Sequence, residues 1–338
     1  MSVKTYFNRD NMRYDVVILI AVFLAQDILA AGYVTDKNKI MIDIQKTSQS
    51  IKEHLTEMTV TIGERSVAVP DNLNRAADYI ESFYKKLDLA VHRQQYEYRH
   101  LSVANLVTQI SFGSQPKNRY LVGAHYDSVM GTVGADDNAS AIAVQLETAR
   151  HLKELAGSED LDVSVKFVSF ALEEPPVYGT GHMGSRVYAK IARQEKERID
   201  GMICLEMVGY ACYEPGCQGY PFPLMYFGYP KQGNFIGIVG NFKSRDFTRA
   251  LFSQFSKNPE LPVVKLNVPL NGRILPAVRL SDHASFWDRG FKAVMLTDSA
   301  FYRNPHYHRA SDTMEKLDYR FMAELVESLI IFFSSFRK

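Results

Sequence analysis

The stretch LVGAHYDSVMGTVGADDNASA, residues 121–141, decides how this chain is read. An apolar strand (Tyr120, Leu121, Val122) passes through a loop rich in Gly and Asp into a helix that begins near Ala139. His125 and Asp127 stand two residues apart, so on extended backbone their side chains share a face. Asp127 is thereby placed to hold the His125 ring from behind, as a carboxylate commonly does for a metal-binding imidazole. Asp136, Asp137 and Asn138 then bring carboxylates to the start of the helix, where Ala139, Ser140 and Ala141 allow close approach. Each part also has an ordinary meaning: His-x-Asp arises by chance, and Asp-Asp-Asn caps many helices. The rest of the chain decides between the two.

At 338 residues, with 46% apolar and 23% charged side chains, the chain can bury a sizeable core. Its net charge of +1 gives no reason to expect nucleic acid or an acidic partner. Cys204, Cys212 and Cys217 are too few for a disulfide framework and wrongly spaced for a zinc ribbon. Cys212 and Cys217 flank a Pro-Gly turn, and the sequence leaves open whether they pair. Near the amino terminus, Lys4, Arg9 and Arg13 precede the apolar run VVILIAVFLA, residues 16–25, with Ala30, Ala31 and Gly32 beyond. That run has the length of a signal-peptide core and falls short of the roughly 20 residues of a membrane span. Residues 1–33 are expected to be a signal peptide or an N-terminal membrane anchor of an exported protein, periplasmic or secreted, and residues 34–338 a single domain. A buried N-terminal helix of a cytosolic protein is the competing reading.

Taken in order, residues 37–58 have mixed polar helical character. Residues 72–87 carry Leu73, Ala76, Ala77, Ile80, Phe83, Tyr84 and Leu87 at helical spacing, behind Pro70 and Asp71 as a start signal. Strand-like segments follow at 90–98 and 103–112, then the strand at Tyr120. Beyond it, helices at 139–155, 183–192 and 245–255 interleave with strands at 163–172, 202–208, 235–239 and 293–297, and an amphipathic helix closes the chain from Tyr319. Apolar strands alternating with helices predict an α/β three-layer sandwich with a central mixed, largely parallel sheet flanked by helices. Ligands of such sheets bind at the carboxyl ends of the strands, and His125, Glu173, Glu174 and Glu206 all fall at or just past strand ends.

Three further motifs carry chemistry. FVSFALEEPP, residues 167–176, ends an apolar strand in two adjacent Glu. Neighbours on a regular strand point to opposite faces, so Glu173 and Glu174 serve one site only if the strand has stopped, as Pro175 and Pro176 suggest. ICLEMV, residues 203–208, puts Glu206 inside an apolar strand, a costly burial unless a cation or solvent meets the charge. NPHYHRASDT, residues 304–313, offers His306 and His308 on a loop before the last helix.

Together and in this order, from about Asp71 to the end, the four motifs resemble those of the M28 family of zinc exopeptidases. The resemblance implies the zinc exopeptidase fold and two Zn²⁺ per chain. It implies Asp137 as the bridging ligand, His125 and Glu206 completing one site, and Glu174 and His308 the other. Glu173 would be the general base, and Asp127 the support behind His125. Preferring Asp137 to Asp136, Glu174 to Glu173 and His308 to His306 rests on the resemblance alone. Three carboxylate ligands against four positive charges leave one charge for a bridging hydroxide, and zinc lowers the pKa of bound water toward about 7.

The activity so implied is that of an aminopeptidase acting on peptides with a free N-terminus. A membrane enters only through the N-terminal segment, and the oligomeric state is left open. A glutaminyl cyclase, with one zinc and a related fold, is the alternative in another reaction class, although GADDNAS, residues 134–140, is more similar to the peptidases. Carboxypeptidase or dipeptidase action shares the ligand set, and a binding module without activity would be expected to have lost ligands that this chain keeps. SDHASF, residues 281–286, also resembles the family, and Asp282 and His283 are read as structural or supporting. Some family aminopeptidases place an oxyanion-steadying Tyr three residues before the equivalent of Ser281; this chain has Val278 there, leaving Arg279 or a nearby Tyr as candidates. Residues 210–229, rich in aromatics, Pro and Gly, are a candidate wall for the substrate side-chain pocket.

Overall fold

The computed structural model describes residues 41–157 and 159–338. The signal or anchor expected at residues 1–33, and the first residues of the helical segment expected from 37, lie outside the described residues. Among the described residues no helix is long and apolar enough to cross a membrane.

Eight strands form one mixed sheet: β1 (His92–Tyr98), β2 (Leu101–Ser111), β3 (Asn118–His125), β4 (Val163–Phe170), β5 (Gly201–Glu206), β6 (Ile236–Asn241), β7 (Val263–Val268) and β8 (Ala293–Thr297). Their order is β1-β2-β4-β3-β5-β8-β6-β7. The four central strands β4, β3, β5 and β8 run parallel, while β2 and β6 join them antiparallel on either side. Strand β7, parallel to β6 at the sheet's edge, went unread in the sequence. Its side chains are mostly half-buried and its six residues lie between Pro262 and Pro269, so alternation is weak there.

Helices cover both faces. On one lie α2 (Pro70–Lys86), α3 (Ala141–Leu155), α5 (Arg245–Phe255) and α7 (Tyr319–Ser334), packed into the larger core, with α1 (Ile44–Leu55) outside α3 and α7. On the other, α4 (Gly184–Gln194) and α6 (His283–Asp288) bury Tyr188, Ala189, Phe286 and Trp287 in a second core. The three layers predicted from the strand–helix alternation are present. Helix α7 departs from the amphipathic expectation: from Phe321 to Phe333 every residue is buried, because α1 covers the side that would otherwise meet water. Asp318 caps its start, accepting the N–H of Phe321 at 2.9 Å.

One side chain that the sequence reading passed over organises the active edge. Arg65 is completely buried, and its guanidinium donates to five carbonyls: Tyr126, Met58, Gly63, Val133 and Gly134, at 2.7–3.1 Å. It stitches the turn after α1 to both ends of the loop between His125 and Asp137. Burial lowers its pKa to about 10, against the opposing pull of Asp127, Asp312, Asp137 and Glu174, so it stays charged. Gly134 lets the loop close: its φ is +50°, and a Cβ there would lie 2.2 Å from the Asp137 carbonyl oxygen. Replacing Arg65 with Met strands buried carbonyls and should cost about 3–5 kcal/mol of stability. Urea unfolding checks this, with Arg65→Lys expected between the two because it keeps the charge and loses the fork.

Candidate metal centre

The sheet register sets the site. His125, the last residue of β3, pairs with Phe170, the last of β4, and Glu206, the last of β5, pairs with Thr297, the last of β8. Just beyond these ends the backbone turns through left-handed residues, Leu172 (φ 58°) before Glu173 and Met207 (φ 46°) after Glu206. His308 itself has φ 55°. Non-glycine residues in this region cost energy and concentrate at functional sites. The turn at Leu172 is how two adjacent Glu reach one site: strand β4 has already ended at Phe170.

Three groups have their ligand atoms within 4.8 Å of one another: His125, Glu173 and Glu174, and two triads that share a residue, His125, Asp137 and Glu206, and Asp137, Glu174 and His308. Asp137 belongs to both, with one carboxylate oxygen 3.4 Å from His125 Nε2 and the other 3.2 Å from His308 Nε2. Glu206 lies 3.4 Å from His125 Nε2 and Glu174 3.4 Å from His308 Nε2. Glu173, buried, stands 3.9 Å from His125 Nε2. His306 turns away, its Nδ1 on the Ser311 hydroxyl at 2.9 Å.

Whether these residues fit a metal is tested by their unmet bonding capacity. His125 is completely buried, yet its Nε2 has no hydrogen-bond partner among the described residues, and Glu174 Oε1 is likewise buried and unpartnered there. Buried polar atoms are rarely left so. Burial pushes Glu173 well above the usual carboxylate range and Glu174 up to about 8, and it also raises Glu206. Asp137 goes the other way: despite burial, His125 and His308 hold it low, and His308 rises to about 10 beside Asp137 and Glu174. The cluster holds more acid groups than two imidazoles neutralise, and mixed N/O donors of this kind suit a divalent cation such as zinc.

The surroundings fix these groups. Asp127 lies 3.3 Å from His125 Nδ1, and its two oxygens accept the backbone N–H of Glu173 and Glu174, each at 3.0 Å. It therefore positions both motifs at once, more than the His-x-Asp spacing implied. Asp312 accepts the N–H of Asp136 and Asp137. Asp136 is not in either triad: it accepts from Gly209 N–H and from the Asn304 side chain, and it is hydrogen-bonded to Asp298. The helix-cap meaning of Asp-Asp-Asn does not hold either, since α3 begins after Ser140 and no side chain caps it. Ser281 donates to Glu206 Oε2 at 2.7 Å. Asp312 and Ser281 both stood inside motifs already quoted, and Arg65 had no sequence signal beyond being a lone Arg between two turns.

Of the candidates for an oxyanion donor, Arg279 is engaged elsewhere, on the Asn271 carbonyl and both oxygens of Asp288. Tyr307 stacks on the His308 ring at 3.8 Å between centroids. Burial, with Asp137, Glu174, Glu206 and Glu173 nearby, raises its pKa and keeps its hydroxyl protonated.

A cavity of about 110 Å³ opens beside Glu206 and Tyr307. Tyr220, Pro221, Met225 and Tyr229 form one wall, so part of the segment singled out in the sequence does line it. Val239, Leu266 and Met295 from the sheet form the floor. Cys212 and Cys217 are joined in a disulfide at the base of that wall, resolving the open question about their pairing.

Asp127→Ala removes three anchoring contacts and should weaken metal binding about 10–100-fold, read by competition with a chelator of known affinity. His283, in the SDHASF motif, is fully buried on the Val278 carbonyl, and burial lowers its pKa to about 4. The unfolded chain gains a proton near pH 6.5 that the folded chain refuses until about pH 4. The stability His283 supplies is thus complete above pH 6.5 and lost as pH falls through this window, to the extent of about 3 kcal/mol. In His283→Gln that part of the acid dependence should vanish, measured as urea midpoints across the same range.

The sequence profile of peptidase family M28 matches residues 105–332. An uncharacterised protein of Escherichia coli (strain K12), YfbL, is 35% identical over 290 residues, covering 83% of this chain and 86% of its own length. A probable leucine aminopeptidase of Arthroderma otae is 27% identical over 217 residues, 60% of this chain, and the match spans only half of that protein. Among solved structures, the LapA aminopeptidase of Legionella pneumophila superposes with a TM-score of 0.66 at 19% identity, covering 90% of this chain and 78% of that one. A Porphyromonas gingivalis glutaminyl cyclase gives 0.61 at 16% identity, covering 87% and 98%. The fold is shared with both kinds of enzyme.

Proposed function

The chain belongs to peptidase family M28, and on that premise we propose that it is a zinc-dependent aminopeptidase releasing N-terminal residues with large apolar side chains from peptides. The observation that carries this reading is the pair of triads sharing Asp137 at the mouth of an apolar cavity. Among the described residues lining that cavity there is no Lys or Arg to receive a peptide's terminal carboxylate.

In this reading His125, Asp137 and Glu206 would hold one Zn²⁺ and Asp137, Glu174 and His308 the other. Held there, such cations would supply a water of lowered pKa and polarisation of the scissile carbonyl. Glu173, its backbone N–H held by Asp127 and its carboxylate 3.9 Å from His125 Nε2, takes the proton of the attacking water and passes it to the leaving amine. The Tyr307 hydroxyl, kept protonated by burial and by the carboxylates around it, donates to the oxygen that gains charge in the transition state. The cavity seats the first side chain and so fixes the scissile bond. Residues 34–338 act as one catalytic domain behind an export signal or anchor. The Cys212–Cys217 disulfide supports an oxidising, exported location.

The test is release of aminoacyl chromogens by the purified protein, with metal measured on the same sample. Release favouring Leu or Phe, abolished by chelator and restored by zinc at two metals per chain, is the expected result. Glu173→Gln should keep both metals and lose about 10²–10⁴ in kcat. No release, one metal per chain and cyclisation of a glutaminyl peptide would replace the reading with the cyclase.

A further inference from the structure

Arg303 lies outside both triads, yet it is buried at 5% exposure, and its guanidinium is committed to the wall of the cavity. Its Nε donates to Gln218 Oε1 at 2.8 Å, one Nη to the Phe235 carbonyl at 2.9 Å and the other to the Tyr210 carbonyl at 3.3 Å. The three acceptors are the beginning, middle and end of the segment 210–235 that supplies the wall. The guanidinium also stacks over the Phe235 ring, 4.5 Å from its centroid. Gly233 makes room for it: a Cβ there would lie 2.7 Å from Arg303 Cδ and from Cys212 Sγ.

Around this bracket the segment is tied by polar contacts. Gln218 donates to the Ser299 hydroxyl at 2.9 Å, and Gly219 N–H to the Tyr302 carbonyl at 2.7 Å. Cys212 and Gly233 exchange two backbone hydrogen bonds next to the disulfide. Tyr210 N–H binds Asp298, itself hydrogen-bonded to Asp136 behind the shared ligand Asp137. Within the wall Tyr220 packs against Tyr226 and Tyr229, at 5.2 and 5.7 Å between centroids, while Leu224 and Phe227 point to solvent, Phe227 at 90% exposure. The polar anchors at Tyr210, Gln218 and Phe235 set where this aromatic cluster stands against the floor.

We infer that Arg303 is a specificity-determining positioning residue: its fork sets the distance between wall and floor of the cavity, and with it the size of the side chain accepted. The inference rests on the cavity being the side-chain pocket of the proposed aminopeptidase. Two variants test it, Arg303→Met, which keeps length and loses the donors, and Gln218→Leu, which removes the central acceptor. Each is measured on alanyl, leucyl and phenylalanyl substrates, with metal content and hydrogen exchange of the segment 210–235. Preference for Leu and Phe over Ala should fall about tenfold, through KM rather than kcat, with metal retained and exchange of the segment accelerated. Arg303→Lys, which reaches one acceptor instead of three, should recover only part of the preference. An unchanged preference, or an equal loss of kcat on all substrates, overturns the inference. If the unmodified chain releases no residue, it is the aminopeptidase reading that fails. Exchange then decides separately whether Arg303 holds the wall, and an unaltered segment overturns that as well.

Discussion

A buried guanidinium is the constraint on which the active edge depends. Arg65 brings a full charge into the interior and is tolerated there because five carbonyls and four nearby carboxylates answer it. Two of those carbonyls, Val133 and Gly134, close the loop just before Asp137, and a third, Tyr126, follows His125 directly. The two residues of the first motif are twelve positions apart, and it is Arg65 that fixes the path between them.

The site extends this logic outward. Most groups of the two triads are held by a neighbour: Asp127 holds His125 and the Glu173–Glu174 backbone, Asp312 the backbone of Asp137, and Ser281 the Glu206 carboxylate. Such preorganisation matters because a cluster of buried carboxylates would otherwise relieve its charge by moving apart or taking up protons. Asp136 and Asp298 continue the network from Asp137 toward the pocket wall. The metal cradle and the cavity beside it thus share one hydrogen-bonded frame.

Much of the fold was legible beforehand. The parallel centre followed from apolar strands alternating with helices, and α2, α5 and β8 stand within two residues of their expected bounds. Short, half-buried β7 escaped because neither alternation nor a continuous apolar run marked it. Helix α7 read as amphipathic because sequence alone does not reveal that α1 would cover its outer side. The residues of the two triads were all named in advance, but the local spacing could not separate Asp136 from Asp137 or Glu173 from Glu174. Asp136 is told apart from Asp137 by its partners, which come from residues 209, 298 and 304, whereas Glu173 and Glu174 both come within reach of His125.

By itself, then, the sequence determined the class of fold, the edge of the sheet that carries the chemistry and the residue types gathered there. Hydrophobic periodicity and strand ends are local properties, written within a few neighbouring residues. Tertiary structure alone decided that Asp137 and not Asp136 joins the triads, that Arg65 and Arg303 would be buried as brackets, and that residues 210–235 would fold back as a pocket wall. Each of these depends on hydrogen-bond partners dozens to hundreds of residues away, and no spacing rule along the chain encodes them.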